Sequence, residues 1–157
     1  KAGAHVDRQA RIVRISPDLV DAALKSVPKS WVFCGRDPAM DLLIEPGRVY
    51  FGQGGSAEPF FWDYDLGRWR HPTKADMVTC TRVGQALRHV DFVMALCSAG
   101  DVPPQDHYFH EDDALLRNTT KPIVYSAPGR RYTARFLEMA AAASGGEAPV
   151  WPSSPNR

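Results

Sequence analysis

Apolar positions recur along this chain with three different spacings, and each spacing predicts a different kind of element. Between Ser16 and Val27 they fall at Val20, Ala23, Leu24 and Val27, the i, i+3, i+4, i+7 pattern of one helix face. Ser16 occupies an N-cap position, Pro17 the first helical position, and Pro28 ends the run. From Trp31 to Trp69 the apolar residues come in short β-prone runs instead: Trp31-Val32-Phe33-Cys34, Leu42-Leu43-Ile44, Val49-Tyr50-Phe51 and Phe60-Phe61-Trp62. Turn chemistry separates them, in Gly35-Arg36-Asp37-Pro38, Glu45-Pro46-Gly47 and Gly52-Gln53-Gly54-Gly55-Ser56. Antiparallel strands or hairpins are expected there.

The third regime begins at Thr73. Thr73 and Asp76 have the spacing of a capping box, and Met77, Cys80, Val83, Leu87 and Val90 mark an apolar face behind them. The nearly continuous apolar run Val90 to Cys97 reads as a strand buried on both sides, ending at Ser98-Ala99-Gly100. After a loop with Pro103-Pro104 comes a helix from about Phe109 to Asn118. A second buried strand follows at Lys121 to Ala127, then a helix from Arg131 to Ser144 closed by Gly145-Gly146. Alternation of helix and strand with short connections predicts adjacent parallel strands joined by right-handed crossovers. The expected organisation is therefore residues 1–72 as a helix plus an antiparallel β-hairpin layer, and 73–157 as β/α units. Two such units cannot close a barrel, which takes about 250 residues, so the chain reads as a piece of something longer.

Composition narrows the class of protein without naming it. Hydrophobic residues make up 44% and charged residues 24% of the 157 positions, ordinary proportions for a globular domain. The 19 Lys and Arg balance 18 Asp and Glu and are scattered, which points away from nucleic acid and anionic membranes as partners. No apolar run reaches the roughly 18–20 residues needed to span a bilayer. Cys34, Cys80 and Cys97 are few and widely spaced, so neither a disulfide framework nor a cysteine zinc site is indicated, and a reducing, cytoplasmic setting fits.

Several segments taken together resemble a known family. They are Gly3-Ala4-His5-Val6-Asp7 leading to Val13-Arg14-Ile15-Ser16-Pro17-Asp18, Gly35-Arg36-Asp37-Pro38, and Thr119-Thr120-Lys121-Pro122-Ile123. Glu138-Met139-Ala140 with Gly145-Gly146 adds to them, and the most distinctive is the run Asp63 to Asp76, of the form D-x-x-x-G-x-x-R-x-x-T-x-x-D. In these the chain is similar to the trimethylamine and quaternary-amine, corrinoid-dependent methyltransferases. The resemblance covers nearly the whole chain but includes no catalytic signature. It implies a fragment of a TIM (β/α)8 barrel carrying an N-terminal helix and an antiparallel β-hairpin extension. It also implies an enzyme that moves a methyl group from trimethylamine, or a quaternary amine such as glycine betaine, to cobalt. That cobalt sits in a corrinoid (cobalamin) carried by a separate protein, so no cofactor is expected on this chain itself. The isolated fragment should be inactive, and unpaired strand edges point to a homo-oligomer. The alternative is a barrel that binds quaternary ammonium without catalysis.

Within that frame the candidate substrate-binding residues are Phe60, Trp62, Tyr64, Ser98 and Ser126. A quaternary ammonium has no N–H to donate, so aromatic faces such as Phe60, Phe61, Trp62, Tyr64 and Trp69 are the natural means of holding it. The plainer reading is a hairpin that uses aromatics for cover. Ser98 and Ser126 follow the two buried strands, where barrel enzymes build their sites, and tight strand-to-loop geometry is the competing explanation. The Gly52-Gln53-Gly54-Gly55 segment is no dinucleotide fingerprint and reads as a plain turn. His107 and His110 stand beside Glu111, Asp112 and Asp113, but lack an HEXXH context, so no metal is assigned. The acids read as the solvated, dipole-favoured start of a helix. Asn118-Thr119-Thr120 matches a glycosylation sequon and is read as a helix end, and Cys97 as a buried small hydrophobe.

Overall fold

A computed structural model describes residues 3–54, 59–126 and 128–146. The chain divides into two compact units, Lys1–Ser30 and Trp31–Arg157. In the first, β1 (His5–Asp7) and β2 (Ile12–Arg14) pair antiparallel, with Val6 opposite Val13. Their turn is held by Asp7, whose Oδ1 accepts from the amides of Gln9 and Ala10 at 3.1 and 2.9 Å. Helix α1 (Pro17–Ser26) starts as the sequence predicts: Ser16 caps the Leu19 amide at 3.3 Å and Pro17 leads the first turn. No residue of α1 is buried, and its apolar repeat of Val20, Leu24 and Val27 stays exposed.

In the second unit, β3 (Trp31–Phe33) and β4 (Leu42–Ile44) form one antiparallel hairpin. β6 (Phe61–Asp63) and β7 (Arg68–Arg70) form another, with Trp62 opposite Trp69 and Gly67 taking the positive φ of its turn. Between the hairpins lies β5 (Gly52–Gln53). The remaining elements alternate: α2 (Lys74–Ala86), β8 (Phe92–Met94), α3 (His107–Asn118), β9 (Ile123–Val124) and α4 (Arg130–Ala143). Strands β5, β8 and β9 make one parallel sheet in that order, with Gln53 and Ile123 flanking Val93 on either side. The expected parallel pairing of the two buried strands is thus present, and each is followed by a helix.

Three expectations need correction. The strand anticipated at Val49–Phe51 lies one step later, at Gly52–Gln53 from the segment read as a turn, whose Gly55 and Ser56 lie outside the described residues. Gly52 has to be glycine, because a Cβ there would run into the Phe92 ring, while Val49 and Phe51 face solvent. The hairpin layer is therefore interrupted by a strand of the parallel sheet. The second correction concerns α2, whose buried line is Met77, Thr81 and Gly84, whereas Val83 and Leu87 are about half exposed. Gly84 faces inward because the helix lies so close to the sheet: a Cβ would meet the Gln53 side chain and sit 3.1 Å from Val93 Cγ1. Apolar periodicity could not see this, because the closest contact is made by the residue with no side chain. The third correction concerns α3, where Glu111 and Asp112 are buried rather than solvated.

Two clusters fill the core. Met77, Cys97, Ala99 and Ala114 are buried together with Phe61 packed on them, and Leu116, Phe136 and Ala140 join Ile123 and Tyr125 around α3 and α4. No described helix is long and apolar enough to cross a membrane.

Candidate functional site

The sheet has two ends, and the chain treats them differently. At the N-terminal end of β9 the Thr119-Thr120-Lys121-Pro122 segment is fixed by polar bonds from two directions. The Thr120 carbonyl accepts from the amides of Arg36 (2.9 Å) and Asp37 (3.2 Å), and Arg36 Nη2 donates to the Thr119 carbonyl at 3.0 Å. From α2, Gln85 Oε1 accepts from Thr119 Oγ1 and the Thr120 amide at 2.6 and 3.0 Å. The Lys121 ammonium is buried and donates to the carbonyls of Gly84, Leu87 and Val90 at 2.8, 2.8 and 2.6 Å. It thereby satisfies carbonyls that the end of α2 and the following turn leave without helical partners, and a cation suits a helix C-terminus. Two of the segments that carry the family resemblance, 35–38 and 119–123, are therefore one structural joint.

The distinctive Asp63–Asp76 run is a second joint, between a hairpin and a helix. Arg70 forms two bonds with the Asp76 carboxylate, Nη1 to Oδ2 at 2.7 Å and Nη2 to Oδ1 at 2.8 Å, while its Nε reaches Asp63 at 2.6 Å. Asp76 completes the capping box with Thr73, accepting from its amide at 2.7 Å. The Arg70 hydrogen bonds hold the Asp76 carboxyl far below the ordinary carboxylate range, and Asp63 is lowered by the same guanidinium. The positions that make this run recognisable thus fasten the β6–β7 hairpin to the start of α2. That start adjoins the loop after β8, since Gly100 donates to the Pro72 carbonyl and Asp101 accepts from the Lys74 amide, both at 2.8 Å.

Of the candidate substrate residues, only Ser98 lies past the C-terminal end of β8. Cys97 is fully buried and burial pushes its thiol up to about 12, so it is a packing group rather than a nucleophile. Ser98, the next residue, is half-buried; Ser126, past the neighbouring β9, is exposed. Ala127 lies outside the described residues. On the hairpin, alternation sends Phe61 inward onto the Met77–Cys97 cluster and Phe60 and Trp62 outward. Phe60 lies against His71 with ring centres 4.6 Å apart, and Trp62 meets Trp69 edge-on at 5.6 Å. Tyr64 is 89% exposed and makes no ring contact among the described residues. The aromatics therefore offer two separate paired faces and one solvated ring.

Sequence reasoning missed the acids of α3. Only Asp113 behaves as the solvated-start reading expects: Lys74 and Arg117 both pair with it at 2.5 Å, and they outweigh burial to lower its pKa. Glu111 and Asp112 are instead buried, at 4% and 5% exposure. Burial, and then the neighbouring Glu111 charge, pushes Asp112 up to about 7. Burial raises Glu111 as well, opposed by a hydrogen bond from Ser98 and by His107. The signal was available: Ala114 and Leu115 define the inward face, and positions one turn earlier share it. Of the nearby histidines, His107 Nδ1 faces the Pro104 carbonyl at 2.6 Å and His110 Nδ1 lies 3.3 Å from Lys74 Nζ. No group of three or more metal-ligating side chains occurs among the described residues. The Asn118 amide is engaged by Ala114 and Arg82, and Thr119 beside it is buried, as befits a helix end.

Comparison with known proteins identifies the family. The family model described as trimethylamine methyltransferase (MTTB) matches residues 1–154. A protein of Desulfitobacterium hafniense (strain DSM 10664 / DCB-2), trimethylamine methyltransferase MttB, is 31% identical over 151 residues, covering 94% of this chain and 29% of that protein. The chain thus spans less than a third of its relative's length, with the match running through both joints. This chain belongs to the trimethylamine methyltransferase family.

Proposed function

We propose that this chain is part of an enzyme that takes a methyl group from a methylated amine, trimethylamine or a quaternary amine such as glycine betaine. The acceptor is the cobalt of a corrinoid carried by a separate protein. Family membership supports the substrate class. The observation that carries the architectural half is the order β5–β8–β9: strands consecutive in the parallel sheet, with α2 and α3 between them. That is the repeating unit of a TIM barrel, whose sites form at the C-terminal ends of the strands. Ser98 and Ser126 stand past two such ends, and Phe60, Trp62 and Tyr64 sit on or beside the hairpin whose inner face packs at the first of them.

In this reading the corrinoid is the acceptor substrate and supplies the nucleophile, and this chain binds no cofactor of its own. The work of the protein side chains is to hold the amine in line and keep water away. A single aromatic face contributes about 0.5–2 kcal/mol to holding an ammonium, so the two paired faces and the serines must act with groups from other strands. The edges of β5 and β9, unpaired among the described residues, support assembly with further strands or a second copy, and three cysteines scattered along the chain fit a reducing, cytoplasmic compartment.

The test uses the whole protein that carries this chain, mixed with a cobalt(I) corrinoid protein and either trimethylamine or glycine betaine. Appearance of the methylated-cobalt spectrum with one of them is the expected result. Binding of the amine with no spectral change would favour a binding protein without catalysis.

A further inference from the structure

Leu116 of α3 packs with Phe136 and Ala140 of α4, and the same pair of helices lines a cleft of about 300 Å³. That volume is the low end of the range for small-ligand sites. Phe109 lines it from the first turn of α3, and Arg131, Arg135, Glu138 and Met139 line it from α4. The four positions on α4 fall at i, i+4, i+7 and i+8, one face of the helix. Phe109 and Met139 are half-buried and supply the apolar part, while Arg131, Arg135 and Glu138 are exposed around it. The Phe109 ring is fixed by Tyr132, stacked on it with ring centres 4.9 Å apart. Tyr132 is tied down in turn by its hydroxyl, which donates to the Gln105 carbonyl at 2.9 Å.

The charges of the cleft do not cancel. Arg135 donates to Glu138 at 2.6 Å, which occupies one of the five N–H donors of its guanidinium. Arg131 makes no ion pair and no side-chain hydrogen bond among the described residues. It stands in the first turn of α4, where a cation opposes the helix dipole and no acid offsets it, so its placement does nothing for the helix itself. Two guanidiniums and one carboxylate leave the lining with a single net positive charge. We propose that this cleft between α3 and α4 is a binding site for a small organic monocarboxylate with an aromatic or aliphatic body. The carboxylate takes paired N–H bonds from the Arg131 guanidinium, a planar fork that matches its two oxygens. The body lies on Phe109 and Met139, and Glu138 repels a second negative charge, which selects a monoanion. The site does not depend on the methyl transfer proposed above, and no step of that reaction uses it.

Saturation-transfer NMR on the whole protein that carries this chain tests the site, with phenylacetate as the probe and phenylacetamide as its uncharged match. A Kd of about 1 mM is expected for phenylacetate, the affinity that one charge-assisted contact and a small apolar body supply. Phenylacetamide should bind about tenfold more weakly, and so should phenylmalonate, which adds a second carboxylate. Arg131→Met keeps the aliphatic stem and should weaken phenylacetate about tenfold. Arg131→Lys keeps the charge without the fork and should weaken it about threefold. Phe109→Leu keeps apolar bulk without the ring and should also cost about threefold. Arg131 is exposed, so its variants leave the packing of α4 intact, and they decide the matter if the Phe109 variant does not fold. Equal binding of the acid and the amide would overturn the proposal. So would an affinity unchanged by Arg131→Met, or the absence of saturation transfer to phenylacetate at several times the expected Kd.

Discussion

At the scale of single residues, three charged side chains carry more of the fold than their composition suggests. Asp76 binds Arg70 through both oxygens and caps α2, so Asp76→Ala should cost about 2–3 kcal/mol, the combined loss of a cap and a charge-assisted pair. Its pKa is depressed in the fold. The stability it contributes is therefore complete above its unfolded value near 3.9 and is lost as pH falls below that. A thermal melt against pH should show this acid-side loss in wild type and its disappearance in Asp76→Ala. Asp112 has the opposite sign. Its folded pKa is raised to about 7, so the folded state holds a proton that the unfolded chain releases above about pH 4. Stability should fall as pH rises from about 4 through 7, the neighbouring Glu111 charge adding to burial. Asp112→Asn should flatten that slope and melt higher than wild type at pH 8; a wild-type curve that rises across the window would contradict the burial of this acid. Lys121 donates to three carbonyls at the end of α2. Lys121→Met should cost about 2–3 kcal/mol in denaturant unfolding, because the Gly84 and Val90 carbonyls lose this donor at once while that of Leu87 keeps only the Val90 amide.

At the scale of elements, the sequence was most informative where a local rule acts alone. The Ser16 and Thr73 caps and the ends of α1 follow from neighbours a few residues away, and all appear where expected. The parallel pairing of β8 and β9 was legible from their continuous apolar runs. What escaped depends on contacts between distant segments. Gly52 is a strand residue only because Phe92 lies over it, Gly84 faces inward only because Gln53 and Val93 lie against it, and Glu111 and Asp112 are buried by elements far from them in sequence. The candidate site was legible to the same degree: Ser98 and Ser126 could be placed past strand ends, but the burial of the α3 acids could not be seen. Gly35 tests the long-range kind of contact directly. A Cβ there would sit 2.7 Å from the Thr120 carbonyl oxygen and 3.0 Å from that of Asp37, and backbone cannot step aside as a side-chain tip can. Gly35→Ala should therefore destabilise by about 1–3 kcal/mol and weaken protection of the Arg36 and Asp37 amides from hydrogen exchange. Unchanged protection would show that this joint is looser than described.

At the scale of the whole molecule, the three-stranded parallel sheet has both outer edges unpaired among the described residues, fewer strands than a closed barrel needs. The 157-residue chain on its own should self-associate as concentration rises, and light scattering showing a compact monomer throughout would count against this. On the proposed function, the chain contributes strand ends to a methyl-transfer site that other strands must complete. Catalysis by differential binding needs the whole pocket, and three strands supply part of one. The most direct measurement places the isolated 157-residue chain, and in parallel the whole protein, with a cobalt(I) corrinoid protein and trimethylamine or glycine betaine. The corrinoid spectrum is then followed over time. Methylation of cobalt by the whole protein, and none above the no-protein control by the isolated chain, is the predicted result. Turnover by the isolated chain would contradict it, and would mean that these first strands carry the chemistry themselves.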